Sequence, residues 1–327
     1  MNTPTTDDFE WPPVPMASPA AAPVAAESPS MGESLAQRRR DVAQRCTEAA
    51  RRFRKRLMFG MTTSLALQSV PIPADCSLDT QVLHTVSSTK AKRIRPRSSS
   101  IHAHTWAALI GADNIRVNQW VHALDLFHTW AQLAPYMPLP SLIALGDAVI
   151  AAIGDNPGLA NDRDPLAIHT DFLRFARTLP RFNGKSKCLR ASGFIRPNVD
   201  SLQESACRLM LLAHGIPEPV TNHTVPGMRF RSGASMTLDL AWPDFRVALE
   251  YDGDHHRTDK TQWRRDQEKR DRLRNDGWII STATGATLSS TSARDDAAFA
   301  VARQLAGRGA DFTFHVLERP IERLTAR

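Results

Sequence analysis

Residues 1–34 show no hydrophobic period. Trp11-Pro12-Pro13-Val14-Pro15 and the Ala, Pro and Ser run over 17–29 hold nothing that a helix or strand could bury along one face, so a disordered tail is expected. From 35 to 58 the composition turns to Arg, Ala, Gln and Glu, which favours a helix. Residues 62–67 read as a short apolar helix, closed by Pro71 and Pro73. The pattern then predicts strands over 82–89 and 101–104, and helices over 117–133, 140–152 and 164–177. A polar, basic connector covers 183–196. Beyond it Leu202, Ala206, Leu209 and Leu212 recur near helical spacing across 201–214, and Gly215 and Pro217 stop that helix. Two strands, 235–241 and 246–252, flank the turn Trp242-Pro243-Asp244-Phe245. A charged helix over 261–275 ends at Gly277, and a strand over 278–284 and a helix over 294–305 complete the pattern. No internal repeat is apparent. The reading is a mixed α/β (α+β) chain with a tail over 1–34, a helical and mixed domain over 35–185 and a second domain over 195–318.

The chemistry lies in the hairpin of that second domain. Along Val247-Ala248-Leu249-Glu250-Tyr251-Asp252 side chains alternate between faces, so Val247, Leu249 and Tyr251 share one and Ala248, Glu250 and Asp252 the other. On the partner strand Leu238 and Leu240 are expected to point one way and Asp239 the other, which brings Asp239 near Glu250. Carboxylates gathered at a strand end repel one another unless a cation sits among them, and hard oxygen donors favour Mg2+ or Mn2+ over zinc. Such a metal could lower the pKa of a bound water and stabilise charge on a phosphate. Gly253 allows a turn after Asp252, and His255 or His256 could then act as general acid or base or donate to a phosphate oxygen. The plainer alternative is a hairpin end with solvated acids. Asp266, Arg270 and Arg274 stand at i, i+4 and i+8 on the charged helix. They read either as a solvated ion-pair ladder or as a face whose arginines contact phosphate.

Charge and cysteine usage narrow the class. The net charge is +7, and the first 35 or so residues carry no lysine or arginine, so the rest is more basic than the total. That balance is compatible with a nucleic-acid partner. Basic clusters stand at Arg51, Arg52, Arg54, Lys55 and Arg56 and at Lys90, Lys92, Arg93, Arg95 and Arg97, with a solvated helix face the plainer reading of the first. Four scattered cysteines, none at metal-ligand spacing, argue for a reducing cytosol and against a disulfide framework or a zinc site. No signal peptide is visible, and the most apolar stretch, 139–153, is too short to span a bilayer and carries Asp147, so it reads as a buried helix. His102, His104, His122 and His128 lack the spacing of a metal pair and are expected to be structural.

Thr237-Leu238-Asp239-Leu240-Ala241-Trp242-Pro243, then Val247 through Asp252-Gly253-Asp254-His255-His256, then Asp266, Arg270, Leu273 and Gly277-Trp278 resemble the domain of unknown function 559 family. That family is similar to very-short-patch-repair endonucleases of the PD-(D/E)XK class. The run Glu204-Ser205-Ala206-Cys207-Arg208-Leu209 and Gly215-Ile216-Pro217-Glu218-Pro219 resemble the start of that domain in actinobacterial members. The resemblance implies a restriction-endonuclease-like sheet flanked by helices and a Mg2+-dependent (or Mn2+-dependent) endonuclease acting on DNA. It implies Asp239 and Glu250 as metal ligands, Glu204 as an additional acid, and Asp252 or a nearby histidine assisting. Two departures stand out. The lysine usual two residues after the glutamate is Asp252 here, and the strand after Gly277-Trp278 carries Ser281 and Thr282 where family members often place an arginine. Residues 58–180 more faintly resemble the C-terminal domain of AbiEi-type bacterial antitoxins. A catalytically weak DNA-binding or regulatory protein of a toxin-antitoxin or defence system is therefore the alternative expectation.

Overall fold

The computed structural model describes residues 30–96, 99–109, 112–253 and 260–325, so most of the expected tail and both His255 and His256 lie outside the described residues. The chain is mixed α/β. Its first half runs α1 (Met31–Arg52), β1 (Leu57–Phe59), α2 (Met61–Leu67), β2 (Leu83–Ser87), β3 (Ile101–Thr105), β4 (Asn114–Arg116), β5 (Val121–Leu124), α3 (Leu126–Leu133) and α4 (Leu139–Gly154). It continues through α5 (Pro157–Ala160), α6 (Pro165–Thr178) and α7 (Lys185–Ser192). The second half runs α8 (Leu202–Ala213), β6 (Val220–Arg229), β7 (Ser235–Trp242), β8 (Val247–Asp252), α9 (Lys260–Asn275), β9 (Ile279–Thr284), α10 (Gly285–Ser289) and α11 (Thr291–Gly307). Among the described residues no helix is long and apolar enough to cross a membrane.

Local chemistry explains the boundaries. Helix α1 opens inside the stretch expected as tail, because Ser30 and Glu33 form a reciprocal capping box, with the Ser30 N–H donating to Glu33 Oε2 at 2.8 Å. The helix expected over 117–133 is divided. Val121, Ala123 and Leu124 are buried as a sheet strand, and Asp125 starts α3 by accepting from the His128 N–H at 2.9 Å. An apolar run satisfies either period, and the cap decides where the helix begins. The connector expected over 183–196 contains α7, whose Cys188 and Ala191 are buried in the same core as α4.

Two sheets result. The first has the order β3-β2-β1-β5-β4, with β1 parallel to β5 and antiparallel to β2. The second has the order β6-β7-β8-β9, antiparallel except for the parallel pair β8–β9. Helix α8 belongs to both halves. Its Leu209 and Ala213 enter the core around α4, while Cys207, Met210 and Leu211 enter the core beneath the second sheet.

The rotation of α8 is set by a buried charge network. Arg208 and Asp147 have fully buried side chains and meet at 2.9 Å. Arg208 also donates to the Phe194 carbonyl at 2.8 Å and to Glu218 Oε1 at 2.9 Å. Asp147 accepts further from the Ser205 hydroxyl at 2.7 Å and the Arg196 N–H at 2.8 Å. Glu218 in turn pairs with Arg196 at 2.9 Å. Losing one partner of such a pair leaves the other charge uncompensated in the interior. Arg208→Met is therefore expected to lower stability by about 3–5 kcal/mol in urea unfolding, and Arg208→Met combined with Asp147→Leu to recover much of that loss. A single variant as stable as the parent would contradict this role.

The histidines of the first sheet pair with one another. The Asp79 carbonyl can only accept, so His84 donates to it through Nε2 at 3.2 Å. His84 Nδ1 is then the acceptor for the His104 Nε2–H at 2.9 Å. Burial, then the neighbouring His84, His102 and Arg93, pushes His104 down to about 4. A histidine kept neutral in the fold takes up its proton first in the unfolded chain. Stability is thus complete above the ordinary histidine range and falls as pH drops from there toward 4. Urea midpoints measured across that window are expected to decline less steeply in His104→Gln.

Candidate functional site

The register of the hairpin places the acids. Leu240 lies opposite Leu249, so one step further Asp239 is level with Glu250. The Tyr251 N–H donates to Asp239 Oδ2 at 2.8 Å, tying the two strands together at the site. The alternation on β7 differs from the expected one. Leu238 packs with Met236, Ala248, Leu273 and Trp278, whereas Leu240 packs with Trp242, Val247 and Leu249, so the two leucines do not share a cluster. The pairing of β6 with β7 passes over Asn222 and Asp239, and Asn222 sits in the left-handed region at φ 47°. The register is the same on either side of this gap, and its shift falls further along β6, between Thr224 and Arg229.

Strand β6 was not expected. It is a sheet edge whose Thr221-Asn222-His223-Thr224 stretch has no apolar alternation. Residues 235–237 of β7 pair only with β6, so the β6–β7 arm continues past the end of the β7–β8 ladder. The arm meets α9. The Arg231 N–H donates to Glu268 Oε1 at 2.8 Å, the Arg265 guanidinium lies 4.4 Å from the Phe230 ring centre, and Arg272 donates to the Arg229 carbonyl at 2.6 Å.

That docking carries Lys269 to the acids. Its ammonium contacts Glu250 Oε1, and both side chains are only 16% exposed. The departure noted two residues after Glu250 is thus accompanied by a cation from another element. Lys269 and Arg270 stand four and three residues before Leu273, the one fully buried side chain of α9 among the described residues, and so lie on its inward face. The position of Leu273 is the signal in the sequence that could have singled out Lys269. Arg270 is close enough for its charge to favour the ionised form of Glu250, whereas Arg274 is exposed and away from the acids.

Burial dominates the electrostatics. It raises the carboxyl of Asp239 against the opposing effect of the Tyr251 N–H and Lys269. It raises Glu250 despite the adjacent Lys269 ammonium. Glu204, on the first turn of α8, is pushed up to about 7 by burial and by the charge of Asp239. Its two oxygens already accept from the Asp200 N–H at 3.0 Å and the Ser201 hydroxyl at 2.9 Å, so it caps α8 while facing the site. Asp252 ends β8 opposite Thr284 and hydrogen-bonds to none of these groups. Among the described residues no three His, Cys, Asp or Glu stand close enough to hold a metal by themselves. Asp239, Glu250 and Glu204 therefore share one electrostatic neighbourhood with Lys269 and Arg270; Asp252 and Arg274 stand apart from it.

No family model matches the chain. It is similar to two proteins of Mycobacterium tuberculosis, "Uncharacterized protein MT2308" of strain CDC 1551 / Oshkosh and "Uncharacterized protein Rv2248" of strain ATCC 25618 / H37Rv. Each is 31% identical over 87 residues, covering 27% of this chain and 31% of the relative. The match thus spans about a third of those relatives' length. No solved structure matches.

Lys269 is the cation that offsets these desolvated acids. Lys269→Ala is expected to lower stability by roughly 1–3 kcal/mol at alkaline pH, the cost of an unpaired buried ionic group. The loss shrinks as pH falls and the carboxylates protonate. Urea unfolding at two pH values checks both the size and the sign.

Proposed function

We infer that the second half of the chain is a metal-dependent phosphodiesterase acting on DNA. One observation carries the reading: Asp239 and Glu250, from adjacent strands, are desolvated together beside the inward-facing cations Lys269 and Arg270. Desolvated acids held at a sheet end cost stability and need a compensating role. Hydrolysis of a phosphodiester is chemistry that uses both signs of charge at one place.

The residues fit a Mg2+ or Mn2+ ion. Among the described residues Asp239 Oδ1 and Glu250 Oε2 have no hydrogen-bond partner, while the other oxygen of each is occupied by the Tyr251 N–H and by Lys269. Mg2+ is commonly held by one or two carboxylates and keeps several waters, so two free oxygens suffice where three protein ligands are lacking. The ion would supply a water of lowered pKa and charge stabilisation at the phosphate. The protein's own groups do the positioning. The Tyr251 N–H fixes Asp239, Lys269 holds Glu250 and its remaining N–H bonds can meet a phosphate oxygen, and Arg270 adds a second positive charge. Glu204 can exchange a proton near neutral pH. Asp252, His255 and His256 remain candidates for assisting catalysis, and Arg274 for phosphate contact, on the strength of the sequence motif alone.

The second reading, a DNA-binding regulator that does not cut, is favoured by Ser281. It stands where an arginine is common in the resembling family, and it is hydrogen-bonded to Gln304 at 3.1 Å rather than free to meet a phosphate.

Cleavage of supercoiled plasmid and of single-stranded DNA with Mg2+, Mn2+ or EDTA separates the two. Metal-dependent nicking is expected, abolished in Asp239→Ala and Glu250→Ala and slowed about 100-fold or more in Lys269→Met, the usual scale for a positioned proton-transfer or charge-stabilising group. Cleavage retained by Asp239→Ala would sink the assignment. Binding without any cleavage would favour the regulator.

A further inference from the structure

The first sheet separates charge by strand direction. At one of its ends β1 and β5 begin side by side, with Leu57 opposite Val121, and β2, β3 and β4 finish. Into β1 at this end come Arg51, Arg52, Arg54, Lys55 and Arg56 from the end of α1. Out of β2 come Lys90, Lys92, Arg93 and Arg95, and Arg116 closes β4 opposite His122. All of these cations are exposed, and none joins an ion pair among the described residues. The acids of the strand connections lie at the other end: Asp79 before β2, Asp113 before β4 and Asp125 after β5. Glu48, a turn before Arg52 on α1, is engaged with Gln44 at 3.1 Å.

The cations converge in space as well as in topology. Lys55, Arg56 and Lys92 line one cleft together with Ser87 and Ser88. Arg56, just before β1, and Arg116, on β4, both lie near enough to His122 to disfavour its protonated form, after burial, and Arg93 acts likewise on His104. Five strands at the usual spacing span about 20 Å, a length over which duplex DNA presents roughly a dozen phosphates. Arginine predominates in the set, and its planar fork suits phosphate oxygens. Among the described residues the exposed large apolar side chains lie elsewhere, at Met31, Leu166, Leu189, Val220, Phe299, Val316 and Leu317, so none of them gives this end the apolar anchor of a membrane-binding face.

We propose that this end of the first sheet is a DNA-binding surface separate from the carboxylate site, gripping the duplex backbone through phosphate contacts without reading sequence. The choice of DNA among polyphosphates rests on the proposed function; the surface itself does not. The test is fluorescence anisotropy of the full chain on a short labelled duplex in EDTA, over a range of salt concentrations. The parent is compared with Lys55→Glu/Arg56→Glu/Lys92→Glu/Arg93→Glu and with the same four positions changed to Gln, which decides the matter if the glutamate form melts early. Affinity is expected to fall about tenfold or more at fixed salt, and the slope of log K against log salt to drop by about 0.9 for each phosphate contact removed. Unchanged affinity and slope overturn the proposal. So does a parent protein that binds only duplex RNA or only acidic phospholipid vesicles. Cleavage is scored separately: a chain that binds with the expected salt slope yet never cuts refutes the nuclease reading and leaves this surface standing.

Discussion

The buried Arg208–Asp147 pair constrains everything that follows it in the chain. An ion pair with both side chains fully out of water is tolerable only when nearly every donor and acceptor is used. Here the partners come from α4, α8, the loop before α8 and the loop after it. The network therefore specifies one rotation of α8 about its axis and one depth against α4. Apolar packing alone would not do so, because α8 is buried on several sides and its leucines could exchange places with modest loss. Glu204 precedes Arg208 by one helical turn, so the setting of Arg208 also sets where Glu204 stands relative to Asp239. The charge that joins the halves thus helps to shape the acid cluster.

A second dependence runs through α9. That helix is strongly polar, and Leu273 is its one fully buried side chain among the described residues. Polar contacts with the neighbouring arm add to that single anchor in fixing the register of the helix. The β6–β7 arm supplies these contacts through Arg231–Glu268, Arg265 over Phe230 and Arg272 to the Arg229 carbonyl. Only with α9 in that register does Lys269 reach Glu250. An edge strand remote in sequence from the lysine is therefore part of what delivers it.

These dependencies explain which features were legible in the sequence. The acids of β7 and β8 could be read because strand alternation is local and both strands carry a strong apolar face. Asp147 could be recognised as buried because it interrupts an apolar run, but its partner could not, since Arg208 lies 61 residues away and nothing local marks it. Strand β6 was illegible because an edge strand with exposed side chains has no need of an apolar period. The separation of Leu238 and Leu240 into different core clusters reflects packing against residues distant in sequence, which spacing within β7 does not encode. Lys269 was passed over in favour of the Asp266, Arg270, Arg274 ladder. Spacing from one charged residue to the next shows which residues share a stripe, whereas the buried Leu273 shows which stripe faces inward.

The two charged regions obey different economies of free energy. The acids around Asp239 are desolvated, so each destabilises the fold unless a cation is near, and Lys269 and Arg270 are the cations that offset them. The cations at the end of the first sheet stay in water, so they cost the fold little beyond mutual repulsion, which salt screens. Exposed charges of that kind are suited to affinity that is long-ranged and sensitive to salt, and buried ones to short-ranged stabilisation of a particular charge distribution. On the proposed reading, binding and chemistry need not share residues. The strand directions of the first sheet allow this, because they place the basic connections at one end and leave Asp79, Asp113 and Asp125 at the other.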